Sequence, residues 1–140
     1  ALSSVPARRS SGLPPGEVWC LCNSTRLEQV LVNLLSNSIE AIGNQRKDGT
    51  ITVRWFHQGC QAVLAVEDNG PGIAPEILNH IFEPFFTTRT RNGLGLGLAI
   101  SADIVRSYGG TLQAENRSSG ACFTLRLPLA SADDKETIDE

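Results

Sequence analysis

The chain has 140 residues, 41% of them hydrophobic, which is enough for one domain with a buried core. Its net charge is −3 with Lys and Arg scattered rather than clustered, so nothing points to a nucleic-acid partner. No apolar run reaches the length of a membrane span, and no signal peptide opens the chain.

Residues 1–16 are rich in Ser, Arg, Pro and Gly and read as a linker or lead-in. Glu17 to Cys22 is a short strand, followed by Asn23, Ser24 and Thr25 as helix-cap candidates; Thr25 and Glu28 have capping-box spacing. The spacing of Leu27, Val30, Leu31, Leu34, Leu35, Ser38 and Ile42 predicts a helix over 26–42 with one apolar stripe. Asn33 and Asn37 stack on an edge of that stripe. They read either as solvated polar residues or as amide oxygens facing a cleft, suited to a hard cation or to water.

A polar turn over 43–49 leads into two antiparallel strands, 50–57 and 61–67, joined around Gln58, Gly59 and Cys60. The second runs directly into Asp68-Asn69-Gly70-Pro71-Gly72-Ile73. A turn explains the Asn, Gly and Pro; it does not require Asp68, which a strand end would place at the lip of a pocket. A short helix over 75–80 precedes Phe82-Glu83-Pro84-Phe85-Phe86, part of which needs apolar cover. The polar loop 87–92 is short and reads as mobile.

Then comes Gly93-Leu94-Gly95-Leu96-Gly97-Leu98, opening a helix to about Tyr108 that Gly109 and Gly110 end. Alone, the run fits a phosphate cradle at a helix N-terminus or a tight turn that lets the helix pack. Residues 111–116 and 121–127 form a closing hairpin, and the acidic tail 130–140 is too poor in apolar residues to fold. Cys20, Cys22, Cys60 and Cys122 lie in or beside strands without Cys-x-x-Cys spacing, and read as buried reduced thiols of a cytosolic protein. The chain opens without Met and contains none, and is expected to be a piece of a longer protein.

Taken in order, four segments resemble the ATP-binding catalytic domain of bacterial sensor histidine kinases, in the superfamily that also holds gyrase, the heat-shock chaperone ATPase and MutL. Residues 26–37 are similar to the N box, 68–72 to the first glycine box, 82–86 to the F box and 93–98 to the second glycine box. The resemblance covers residues 17–129. It implies an α+β fold, a two-layer α/β sandwich with a mixed, mostly antiparallel sheet and three main helices on one face.

The resemblance also implies roles. Asn37 is similar to the Mg²⁺-ligating asparagine, and Asn33 to the polar residue that contacts the metal's water. Asp68 resembles the carboxylate that accepts from the adenine amino group, with Gly70 and Gly72 letting the backbone close on the base. Gly93, Gly95 and Gly97, with Leu94, Leu96, Leu98 and the following helix N-terminus, would bind the β- and γ-phosphates. Thr88 and Arg89 belong to the lid loop that reaches phosphate oxygens. Where many relatives carry a basic residue and an adenine-stacking aromatic, this chain has Glu40 and Ala41, so Ile73 and Phe86 are expected to supply more of the base contact. The Ser-Ile-Glu-Ala-Ile ending and short lid are similar to the subgroup of C4-dicarboxylate and nitrogen sensors.

Neither His57 nor His80 resembles the phosphorylated histidine of the family. The expectation is therefore a chain that binds ATP and Mg²⁺ and gives the γ-phosphate to a histidine on a separate dimerisation domain of the same protein, with a response regulator downstream. That places it in the cytoplasmic part of a membrane-anchored sensor. A free-standing ATPase needs a base to activate water, and relatives of that kind, like the anti-sigma-factor serine kinases, resemble a pattern with glutamate where Asn33 stands; a nucleotide-binding module without catalysis is the other alternative.

Overall fold

The computed structural model describes residues 2–7, 16–43, 48–85 and 97–129. Strands β1 (Leu2–Ala7) and β2 (Gly16–Leu21) pair antiparallel. They are followed by helix α1 (Ser24–Ile42) and strands β3 (Ile51–Gln58) and β4 (Gln61–Asp68). Next come the single turn α2 (Pro75–Leu78), helix α3 (Gly97–Ser107), and strands β5 (Thr111–Asn116) and β6 (Ala121–Pro128). The main sheet has the order β3-β4-β6-β5 and is antiparallel in every described pairing.

The core lies between this sheet and helices α1 and α3. Leu27, Val30 and Leu34 from α1, Ile104 and Val105 from α3, Ala62, Leu64 and Val66 from β4, and Phe123, Leu125 and Leu127 from β6 form one buried cluster. Register explains the pairing: Leu127, Leu125 and Phe123 stand opposite Ala62, Leu64 and Val66, so the inward residues of two neighbouring strands meet. Phe82 joins from the loop after α2, edge-to-face on Phe123 with ring centroids 6.2 Å apart. Phe85, three residues on, is 69% exposed and has a φ of 64°. Of the described F-box rings, only Phe82 finds apolar cover.

Several expectations are corrected. Residues 2–7, read as lead-in from their Ser and Pro content, form β1; pairing with β2 satisfies their backbone groups without apolar alternation. The cap of α1 is Asn23, whose Oδ1 accepts from Arg26 N at 3.2 Å, so the helix starts before the Thr25–Glu28 box and makes no use of it. Cys60 is exposed in the β3–β4 turn, whereas Cys22 and Cys122 are buried. Among the described residues no helix is long and apolar enough to cross a membrane.

Helix α3 ends as its sequence predicts. Gly109, with φ of 76°, donates to Arg106 O at 2.9 Å, and Gly110 donates to Val105 O at 3.0 Å, closing the last turn. Gly110 also lets α3 hand over to β5 directly above β6: a Cβ there would lie 2.2 Å from Arg126 O and 2.8 Å from Leu127 Cδ2. Gly110→Ala should therefore lower stability by about 1–3 kcal/mol through overpacking. Urea unfolding measures it, and an unchanged midpoint would mean that β6 moves aside freely.

Candidate functional site

The inward series of β4, Ala62-Leu64-Val66, has Asp68 as its next member, so the two-residue period of the strand delivers a carboxylate to the helix side of the sheet. Asp68 is 2% exposed. Its Oδ1 accepts from Gly70 N at 2.9 Å and Ala121 N at 3.3 Å. Its Oδ2 is buried with no hydrogen-bond partner among the described residues. A buried polar atom left unpaired costs about 1–3 kcal/mol, more if charged, so one at the mouth of a loop marks a place where a donor is expected. The β5–β6 turn presses against this point. Gly120 has φ of 99°, and a Cβ on it would fall 1.9 Å from Asp68 O.

The loop after Asp68 is tied at both ends by asparagine amides. Asn69 Oδ1 accepts from Thr50 N at 2.8 Å and Asn69 Nδ2 donates to Asp48 O at 2.9 Å. At the other end Asn116, the last residue of β5, accepts from Ile73 N at 2.7 Å and donates to Ile73 O at 2.6 Å. Between them, Gly70 lies against α1, where a Cβ would meet Ala41 O at 3.2 Å. Gly72 has φ of 80° and would meet Asn116 Oδ1 at 3.0 Å. Both glycines thus permit close contact between the loop and the rest of the protein. Beside Asn116, Arg117 donates to Cys122 Sγ at 3.8 Å and pairs with Glu115 Oε1 at 2.9 Å; these neighbours, Cys122 first, raise its pKa above the ordinary arginine value.

Helix α1 forms the other wall. Asn33, Asn37 and Ala41 recur every four residues and so run along one edge for about 12 Å. Ala41 touches the Asp68 loop at Gly70; Asn33 touches the start of α3. Asn33 Nδ2 donates to Gly97 O at 3.1 Å and Ser101 Oγ at 3.0 Å. A carbonyl oxygen only accepts, which fixes the orientation of the amide, and both N–H groups are then committed. Oδ1 is the group Asn33 has left to offer. Asn37, between the two ends, is half-buried and makes no side-chain hydrogen bond among the described residues.

The structure therefore brings Asp68, Gly70, Gly72 and Ile73 together in one loop. It joins that loop to the α1 edge bearing Asn33 and Asn37, and sets Gly97 and Leu98 at the start of α3 beside Asn33. Phe86, Thr88, Arg89, Gly93, Leu94, Gly95 and Leu96, with the whole lid loop 87–92, lie outside the described residues. His57 stands in β3, and His80, in the turn after α2, pairs with Glu83; neither is helical. Among the described residues no cluster of three or more His, Cys, Asp or Glu is suited to hold a metal. Three residues at the site were not singled out for it by sequence reasoning: Ser101, Asn116 and Gly120.

Comparison with known proteins shows the family. Residues 22–131 match the family model described as histidine kinase-, DNA gyrase B-, and HSP90-like ATPase. The C4-dicarboxylate transport sensor protein DctB of Rhizobium meliloti (strain 1021) is 49% identical over 118 residues, covering 84% of this chain and 19% of that sensor. The chain thus spans about a fifth of that relative's length. Among solved structures, the nucleotide-free catalytic domain of the histidine kinase ThkA superposes with a TM-score of 0.71 at 37% identity, over 79% of this chain and 71% of that one. ThkA is also known in complex with the response regulator protein TrrA; that structure matches with a TM-score of 0.68 at 33% identity, over 85% of this chain and 32% of the other. Full-length ShkA in complex with AMPPNP matches with a TM-score of 0.69 at 29% identity, over 87% of this chain and 24% of the other. The chain belongs to the histidine kinase-, DNA gyrase B- and HSP90-like ATPase family, and within it to the ATP-binding catalytic domains of sensor histidine kinases.

Proposed function

We propose that this domain binds ATP with the adenine amino group on Asp68 Oδ2 and the triphosphate running along the Asn33–Asn37–Ala41 edge of α1 toward the start of α3. It then presents the γ-phosphate to a histidine on a separate dimerisation domain of the same sensor protein, with a response regulator downstream. The observation that carries the reading is the buried oxygen of Asp68, without a partner among the described residues, at one end of an α1 edge whose other end meets a helix N-terminus. That helix end is the positive end of its dipole and suits phosphate oxygens. ShkA with AMPPNP and ThkA with TrrA support a nucleotide and a response regulator as partners.

Each side chain has a defined task. Gly70 and Gly72 bring the loop close, and Ile73 with Phe86 covers the base where Glu40 and Ala41 supply neither a cation nor an aromatic ring. Gly93, Leu94, Gly95, Leu96, Gly97 and Leu98 offer backbone N–H groups to the phosphates, and Thr88 and Arg89 close over them. The half-buried Asn37 amide, unpaired among the described residues, fits Mg²⁺, a hard cation that takes neutral oxygen ligands alongside phosphate. Mg²⁺ bound there would neutralise phosphate charge and help set the line of transfer. Asn33 offers an oxygen to that hydration shell but cannot take a proton from water near neutral pH. What remains for the protein is positioning, which suits transfer to a tethered histidine better than hydrolysis. The domain is assigned to the cytoplasmic part of a membrane-anchored sensor.

Restoring the histidine-bearing domain in cis, or adding it in trans, tests the reading with γ-labelled ATP. Label should appear on the histidine, while residues 1–140 alone hydrolyse ATP negligibly. Brisk hydrolysis by the chain alone would favour a free-standing ATPase, and bound ATP without transfer would favour a switching module.

Two substitutions separate base from metal. Asp68→Asn replaces a charged acceptor with an amide and should weaken ATP binding by about 1.5–3 kcal/mol, erasing most of the preference for ATP over GTP. Calorimetric titration with both nucleotides reads this, and wild-type affinity in the variant would sink the adenine role. Asn37→Ala should reduce ATP binding in Mg²⁺ far more than in its absence. Equal losses in the two buffers would point instead to damage in α1.

A further inference from the structure

Asn116 sits 43 residues from Ile73 in sequence, yet its amide makes both hydrogen bonds that a neighbouring strand would make to that residue, at 2.7 and 2.6 Å. The amide of asparagine has the same donor and acceptor as a peptide group, so one side chain stands in for one link of a sheet ladder. Gly72 carries the chain into this contact. Its left-handed φ of 80° turns the loop, and its missing Cβ leaves room for Asn116 Oδ1, which an added Cβ would approach to 3.0 Å. One strand-end away, Ala121 N donates to Asp68 Oδ1, and Arg117 N donates to Gly120 O at 2.9 Å to close the turn between them. The β5–β6 hairpin therefore grips the Asp68–Ile73 loop at both ends, through Ala121 at the carboxylate and Asn116 at the isoleucine. Ile73 in turn packs its side chain on the core.

We propose that Asn116 is a positioning residue for ATP: it holds Ile73 at the height the base requires, so that the loop is set before the nucleotide arrives. This rests on the placement of adenine at Asp68. The bond pair is solvent-exposed, so its loss leaves Ile73 N and O to water rather than buried and unpaired, and the fold loses little. What is lost is preorganisation: a loop with more conformations must be ordered at the expense of binding. The effect belongs to the base end of the site and is independent of the cation.

The test uses the 140-residue chain. Asn116→Ala should weaken ATP binding about five- to tenfold, the worth of two exposed hydrogen bonds. The factor should be the same with and without Mg²⁺, at a nearly unchanged melting temperature. Amide exchange at Ile73 should speed up in the variant and slow again on adding ATP. Asn116→Asp keeps the acceptor for Ile73 N but turns a carboxylate oxygen on Ile73 O, and should lose at least as much affinity as Asn116→Ala. Asp68→Asn is run alongside. If Asp68→Asn loses affinity and Asn116→Ala does not, the positioning role is overturned while the adenine placement stands; if Asp68→Asn binds normally, the placement fails and the proposal with it. A loss in Asn116→Ala that tracks a fall in melting temperature, or that leaves amide exchange at Ile73 unchanged, would overturn the proposal.

Discussion

The carboxylate of Asp68 is the constraint on which this domain turns. It is carried inward by the same alternation that builds the core, in sequence with Ala62, Leu64 and Val66, and so it is buried by the fold and not by a ligand. One oxygen is satisfied by two backbone N–H groups from different parts of the chain, Gly70 and Ala121. The other is held away from water without a protein donor among the described residues. Burying it has a cost, which hydrophobic packing of α1, α3, β4 and β6 offsets.

Around this point the secondary elements divide the work. The sheet sets the carboxylate, the β5–β6 hairpin backs it, and α1 joins the Asp68 loop to the start of α3 along a single edge. Asn33 joins the far end of that edge to α3 by giving both its N–H groups to Gly97 and Ser101. A displacement of α3 at its start is therefore felt by α1 through direct hydrogen bonds as well as through apolar contact. Ser101 is fully buried whereas Gly97 is exposed, so this link runs from the rim into the packed layer.

Much of this was legible in the sequence, for identifiable reasons. The apolar stripe of α1 has the helical period because one of its faces meets water, and the four boxes fell in order along the chain. Strand β4 was harder to phase. Ala62, Val63, Leu64, Ala65 and Val66 are all buried, so the alternation that places Asp68 on the helix side cannot be seen until the register with β6 is known. Strand β1 left no signal because its Ser and Pro mimic a linker. Asn116 passed as an ordinary strand end and Gly120 as an ordinary turn residue, since an asparagine at a strand end and a glycine after two serines are what any hairpin would use. Their partners, Ile73 and Asp68, are more than forty residues away, and only the folded chain brings them close.

The spacing of Asn33, Asn37 and Ala41 has a consequence for how this stretch can vary. An α-helix turns by about 100° for each residue. A single insertion between Asn33 and Ala41 would leave the first end of the edge facing α3 and swing the second away from Gly70, even if every side chain were kept. Substitutions can be absorbed along this helix wherever the stripe stays apolar, whereas a change in its residue count dephases the two halves of the site. An ordinary-looking run of regular helix is thus as sensitive to a change of length as a tightly held loop.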